Sequence, residues 1–248
     1  MSDPDVPSPT PSRAAPMPAR RYPYVLFAAF VVVLAVSAIK PWDFNNWLME
    51  NALVGVFLVL LWFTRKRLPL SDVSYTLIFL FLCLHAVGSH YSYSRVPAGL
   101  VLSEFFGWQR NHYDRIVHFT FGLFLAYPVR ELFLRVVGVR GFWGYYLPLD
   151  VMMSVSMLYE LIEWGAAVAF GGELGAAYLG TQGDEWDAQK DMLLATVGAF
   201  IAMSLTALIN WRYDRDFGPE MRESLRVKGK TPLGEVRIRE LMQTKPSE

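Results

Sequence analysis

Ionisable side chains stand in pairs at helical spacing in three stretches of this chain: Asp114 with His118, Glu160 with Glu163, and Asp187 with Asp191. Residues three or four apart share a helix face, so both members of each pair project in one direction. A mixture of imidazole and carboxylate donors suits a divalent metal such as Zn, Mn or Fe better than Cu(I). His118, Glu160, Glu163 and Asp191 are the expected ligands, with His85 or His90 supplementing them. A metal at such a site would turn bound water into a hydroxide nucleophile near neutral pH, with a neighbouring carboxylate as general base. Asp114, His118, Glu163 and Lys190 would then carry the chemistry, and Arg115 and Lys190 would hold a phosphate or offset developing negative charge. The spacing matches no strict metalloprotease or di-iron helix motif. Packing alone would also account for Asp114 with His118 and for Asp187 with Lys190, as hydrogen-bonded pairs that fix helix against helix.

The elements that must position these groups are apolar helices. Of 248 residues, 53% are hydrophobic and 19% charged, a balance that argues against an ordinary soluble enzyme. Six stretches approach the roughly 20 residues that a helix needs to cross a hydrocarbon core. They are 22–39, 47–64, 70–88, 114–136, 143–169 and 187–211. No strand alternation interrupts them, so the expected fold is all-α, a polytopic membrane helical bundle of about six transmembrane helices. Residues 1–21 are Pro-rich and read as a disordered cytoplasmic tail, 22–211 as the bundle, and 212–248 as a charged cytoplasmic tail. Val36-Ser37-Ala38 has small residues at cleavage-like spacing, but the first apolar run is long for a signal peptide.

Charge sets direction. Arg13, Arg20 and Arg21 precede the first span, Arg65, Lys66 and Arg67 follow the second, Arg135 and Arg140 follow the fourth, and nine basic residues follow the sixth. The alternate loops carry few cations, and the last of them contains Glu173, Asp184 and Glu185. The positive-inside rule therefore expects both termini in the cytoplasm of a plasma (inner) membrane. In that orientation His85, His90, Asp114, His118, Glu160, Glu163, Asp187, Lys190 and Asp191 fall at one depth, towards the outer face, where Glu50 and Asn51 also open the second span. Intramembrane ionised groups are costly, so several at one level face one another or a wet cavity.

Other features lead away from chemistry. Trp42, Trp47, Trp108, Trp143, Trp186 and Trp211 fall near span boundaries, as interfacial anchors do. The glycine-rich stretch 171–184 lacks the GK[ST] ending of a phosphate-binding loop and reads as an outer lid. Net charge is zero, so no global field attracts nucleic acid. The lone Cys83, in an apolar run, rules out an intrachain disulfide and a Cys-rich zinc site.

The succession HYDRIVHF, YELIEW and GTQGDEWDAQKDM, followed by Gly198, resembles the uncharacterised YjdF-like bacterial inner-membrane protein family over roughly residues 23–211. That resemblance implies a multi-span inner-membrane protein and brings no established reaction. A more distant similarity, to VanZ-like proteins, rests on Asp114, Arg115, His118 and Phe119, on Glu160, and on Asp191 and Gly198. Glu163 stands where that family has Gln, and Ala195 where it has Asn. It implies lipid or envelope chemistry. The expected function is therefore an outer-leaflet His/carboxylate cavity, metal-dependent, that binds or acts on an envelope lipid or lipid-linked molecule within the lipid bilayer. A proton-coupled transporter, or a structural or partner-binding protein with a packing-only cluster, are the alternatives.

Overall fold

The computed structural model describes residues 21–172, 181–229 and 234–243, and its regular elements are helices. The expected N-terminal tail and the centre of the expected lid lie outside the described residues. In order come α1 (Tyr22–Ser37), α2 (Phe44–Thr64), α3 (Asp72–His90), α4 (Pro97–Phe106) and α5 (Tyr113–Leu132), which runs on through a π-helical turn, Phe133–Val137. Then come α6 (Trp143–Phe170), α7 (Asp187–Tyr213), α8 (Phe217–Ser224) and α9 (Glu235–Gln243).

Local chemistry sets the ends. Asp43 caps α2 by accepting from the Asn45 and Asn46 amides at 2.8 and 3.0 Å, and Ser71 caps α3 through the Ser74 amide. Pro97 opens α4, and Gly107, left-handed at φ 68°, closes it.

Helices α2, α3, α5 with its π turn, α6 and α7 are each long and apolar enough to cross a membrane. The first expected span is shorter. As a 16-residue helix, α1 reaches about 24 Å at 1.5 Å per residue, short of a 30 Å core. It stops where the Ser37 hydroxyl bonds back to the Leu34 carbonyl, just before Lys40 turns left-handed ahead of Pro41. Helix α4 was not expected at all.

Hydrogen bonds fix the direction of each helix. Tyr22 meets Thr76 at 2.7 Å and His90 Nδ1 meets the Ser37 carbonyl at 2.8 Å, so α1 and α3 run parallel. Asn51 donates to Ser89 at 3.0 Å near one end of α2, and Ser74 donates to Glu131 at 2.6 Å near the other end of α5. Asn210 of α7 donates to Tyr145 of α6 at 2.7 Å. We call the end with Asp43, His90, Asn111 and Asp187 the site end, and the other the far end.

The bundle inverts a soluble protein. Glu50, Asn46, Ser74, His85, Ser89, His118 and Asp191 are buried, while Val32, Phe63, Leu158 and Leu205 stand exposed on its outer faces. Polar groups inside and apolar groups outside is what lipid as solvent requires.

Helices α5 and α7 lie side by side at the centre. Gly122 of α5 faces the main chain of Ala195 and Ala199, and Gly198 of α7 faces that of Phe119 and Leu123. Ala126, Ala195 and Ala199 are wholly buried along the same seam. Small residues at intervals of three and four let two backbones approach closely where no hydrophobic effect drives them together.

Candidate functional site

The Gly122–Gly198 seam determines what happens one turn closer to the site end. His118 lies four residues before Gly122, and Asp191 four before Ala195, so close backbones bring the two side chains together. Asp114, a further turn up α5, joins them. One donor atom from each of Asp114, His118 and Asp191 lies within 4.8 Å of the others. From α6, Glu160 Oε1 stands 3.5 Å from His118 Nε2, and Asp114 Oδ1 stands 3.7 Å from the same nitrogen. Both separations exceed a direct hydrogen bond. Asp191 is 2% exposed, yet its Oδ1 has no hydrogen-bond partner among the described residues, and neither does the buried Oε1 of Glu160. Buried carboxylate oxygens without donors are what an ion or an ordered water satisfies.

Beside this cluster a cavity of about 220 Å³ opens among α2, α3, α5 and α6. Asp114 and His118 belong to both. Its polar end carries Glu50, His85, Ser156 and Tyr159, and its remaining wall is apolar, including Phe57, Phe121, Leu125 and Val155. Tyr159 donates to Glu50 at 2.8 Å, and His85 Nδ1 meets Tyr93 at 2.7 Å. The buried Oγ of Ser156 and Nε2 of His85 have no partner among the described residues.

A charged rim closes the site end. Arg110 makes a two-pronged ion pair with the buried Asp187, with a second contact of 3.2 Å, and also donates to the Thr181 carbonyl. Arg115 pairs with Asp184, reaches Asp187 at 3.4 Å, and meets His112 Nδ1 at 3.1 Å. Lys190 holds Asp184 at 2.6 Å. Asn111 and Gln182 exchange two hydrogen bonds of 3.0 Å, the Asn111 amide donating to the Gln182 side chain, which returns one to the Asn111 carbonyl. The Lys190 ammonium, the Trp186 amide and Arg115 hold the Asp184 carboxyl well below its usual range. Burial, with Arg115 and Arg110 beside it, holds the His112 imidazole below its usual range.

Asp114 and His118 share one face of α5, as their spacing expects, with their polar atoms 3.7 Å apart and no direct hydrogen bond between them, and Asp191 meets them. Glu160 stands against His118, and Glu163, on the same helix, lies within charge range of Glu50, Asp114, Glu160 and Asp191. His85 lines the cavity but turns one nitrogen to Tyr93. Arg115 and Lys190, expected to hold an anion, are bound to Asp184 and Asp187 in the rim. Lys190 pairs with Asp184, not with Asp187.

The sequence singles out neither Tyr159 nor Tyr93, gives Ser156 no nucleophile motif, and marks Arg110 only as a loop cation. Glu50 was legible as a carboxylate within a long apolar stretch; its partner Tyr159 carries no comparable signal.

Residues 22–212 match a family described as "Predicted membrane protein (DUF2238)". The chain is also 40% identical over 188 residues to the inner membrane protein YjdF of Escherichia coli (strain K12), a match covering 75% of this chain and 90% of that protein. No solved structure matches.

Proposed function

The chain belongs to the DUF2238 family of membrane proteins, and on that premise we propose that it is an inner-membrane protein whose site-end cavity receives the polar end of an envelope lipid or lipid-linked molecule beside a divalent metal. Asp114, His118 and Asp191 hold the metal, with Glu160 as a fourth donor, and Glu163 supports the cluster electrostatically. With both termini cytoplasmic, as the loop charges direct, the cavity serves the outer leaflet.

The observation that carries this reading is the joining of two surfaces at Asp114 and His118. One is a convergent set of buried donors with orphaned oxygens, and the other is a cavity apolar on most of its wall and polar at one end. An amphipathic molecule matches that division, its chain against Phe57 and Leu125 and its polar group against the donors. A bound Zn, Mn or Fe would polarise a phosphoryl or carbonyl oxygen and acidify water. The chain's own residues cover the site end with the charged rim and set Glu50, Tyr159 and His85 along the cavity's polar end, within reach of a bound polar group.

Metal content and co-purifying lipid test the two halves separately. Elemental mass spectrometry on detergent-purified protein should find close to one divalent metal per chain. The metal should be lost in His118→Ala and Asp191→Asn variants that keep the wild-type size-exclusion profile. Metal-free wild-type protein, prepared without chelator and then offered each metal without uptake, overturns the metal. Lipid extraction should recover an amphiphile from wild type that Ser156→Phe, a substitution of a buried lining residue that fills the cavity, no longer retains; equal recovery from both overturns the lipid site.

A further inference from the structure

A second recess lies at the far end of the bundle, away from the carboxylates. It is a groove of about 330 Å³ between α1, α2 and α3, walled by apolar residues such as Phe27, Phe30, Leu58 and Leu82, with Arg65 and Lys66 at its mouth. It persists because α1 and α2 both lean on α3 and meet at this end through Trp62, whose ring lies 5.2 Å from that of Phe27 and 6.4 Å from that of Tyr24. Arg65 caps the C-terminal end of α2, where free carbonyls favour a cation. It is folded back, with its guanidinium 3.5 Å from the Trp62 ring centre and an Nη1 hydrogen bond to the Trp62 carbonyl. A snorkelling arginine extends towards water; this one is held over the groove, and stacking of this kind fixes a guanidinium in place. Its buried Nε has no acceptor among the described residues.

Among the described residues, Arg65, Lys66 and the adjacent Arg67 make no ion pair, and the half-buried Glu131 carboxylate at this end is taken by Ser71, Ser74 and Arg135. A groove that is apolar inside and cationic at its mouth, opening at the level of a bilayer interface, complements an anionic headgroup on an acyl chain. We infer that this groove binds one anionic phospholipid of the surrounding membrane, its phosphate on Arg65 and Lys66 and its chain along Phe27, Leu58 and Leu82. The lipid ties α1, which is shorter than the five span-length helices, to α2 and α3. Its charge preference is opposite to that of the acidic site end.

Native mass spectrometry of the full chain in mixed micelles, with phosphatidylglycerol or phosphatidylcholine of identical chains, tests this. Wild type should retain about one phosphatidylglycerol and at least tenfold less phosphatidylcholine. The double variant Arg65→Gln/Lys66→Gln should lose that preference. Arg212→Gln/Arg215→Gln, which changes net charge equally elsewhere, should keep it. Leu58→Trp fills the groove with both cations intact and should also lose the bound lipid, so the inference stays testable if the double variant fails to fold. Equal retention of the two lipids by wild type, equal loss in the Arg212/Arg215 control, or full retention by Leu58→Trp overturns it.

Discussion

A single methyl group at Gly198 should separate the two central helices, because the atoms it meets are main chain. A Cβ there would overlap the Phe119 carbonyl oxygen and lie 2.8 Å from the Leu123 amide nitrogen. Neither atom belongs to a side chain that can rotate away, so α5 and α7 must part by something on the order of 1 Å, the kind of overpacking that costs about 1–3 kcal/mol. For a chain of this size that corresponds to roughly 2–12 °C in apparent Tm. Gly55→Ala is the matched control. Gly55 lies in the interior of α2 with nothing within 4 Å of its Cβ, and there the same change should raise stability by up to about 1 kcal/mol through helix propensity. The assay is thermal size-exclusion chromatography of both variants in one detergent, with metal content measured on the surviving monomer. Gly198→Ala should fall and lose metal, because Asp191 moves away from Asp114 and His118. Truncating the facing side chain, as in Phe119→Ala, should not rescue it. Equal tolerance of the two glycine substitutions would refute the packing argument.

Other expectations follow from the rim and the cavity. Arg110→Gln should destabilise by about 2–4 kcal/mol, since it strips the nearer cation from a buried Asp187 while Arg115 remains at 3.4 Å. Arg140→Gln, breaking an exposed pair with Glu220, should cost under about 1 kcal/mol in the same thermal assay. Tyr159→Phe leaves the buried Glu50 carboxyl without its donor and should cost about 1–3 kcal/mol, most of it recovered in a Tyr159→Phe/Glu50→Leu double variant, where both partners are apolar. The Asp184 carboxyl is held low, so its contribution is fully present above the unfolded carboxylate range near pH 4 and is lost only as pH falls through the lower folded value. His112, also lowered, contributes above about pH 6.5 and loses that contribution on acidification, as its protonation opposes Arg115. Tryptophan fluorescence, with Trp108 against His112 and Trp186 bonded to Asp184, should therefore show a first step below pH 6.5 that His112→Gln abolishes, and a second, well below pH 4, that Asp184→Asn abolishes.

The spans were legible because a membrane demands length and apolarity, and both are properties of consecutive residues. Asp114 with His118 was legible because helix periodicity places i and i+4 on one face. Meetings between helices obey no such local rule. The approach of Asp191 to His118 depends on Gly122 and Gly198, glycines whose spacing across 76 positions means nothing until α5 and α7 are adjacent. The Glu50–Tyr159 bond, across three intervening helices in sequence, is hidden for the same reason. Lys190 looked able to hold a ligand because a cation beside a carboxylate site is ambiguous in sequence; Asp184, six residues earlier in a loop, claims it. Helix α4 falls between the expected spans, although Val96-Pro97 and Gly107 mark its start and stop. At ten residues it is too short for the span-length criterion that found the others.

The pairing of α5 with α7 also bears on how the protein is made. The two halves of the central seam lie roughly 75 residues apart, an interval of about 4–15 s at ordinary translation rates. For that time Asp114 and His118 have emerged while Asp191 and the Gly198 face have not. Helix α6 supplies Glu160 in the interval but leaves the small-residue stripe of α5 open. Helix α7 therefore completes the site last, and a chain arrested before it would leave the small-residue stripe of α5, with Asp114 and His118 at its end, uncovered.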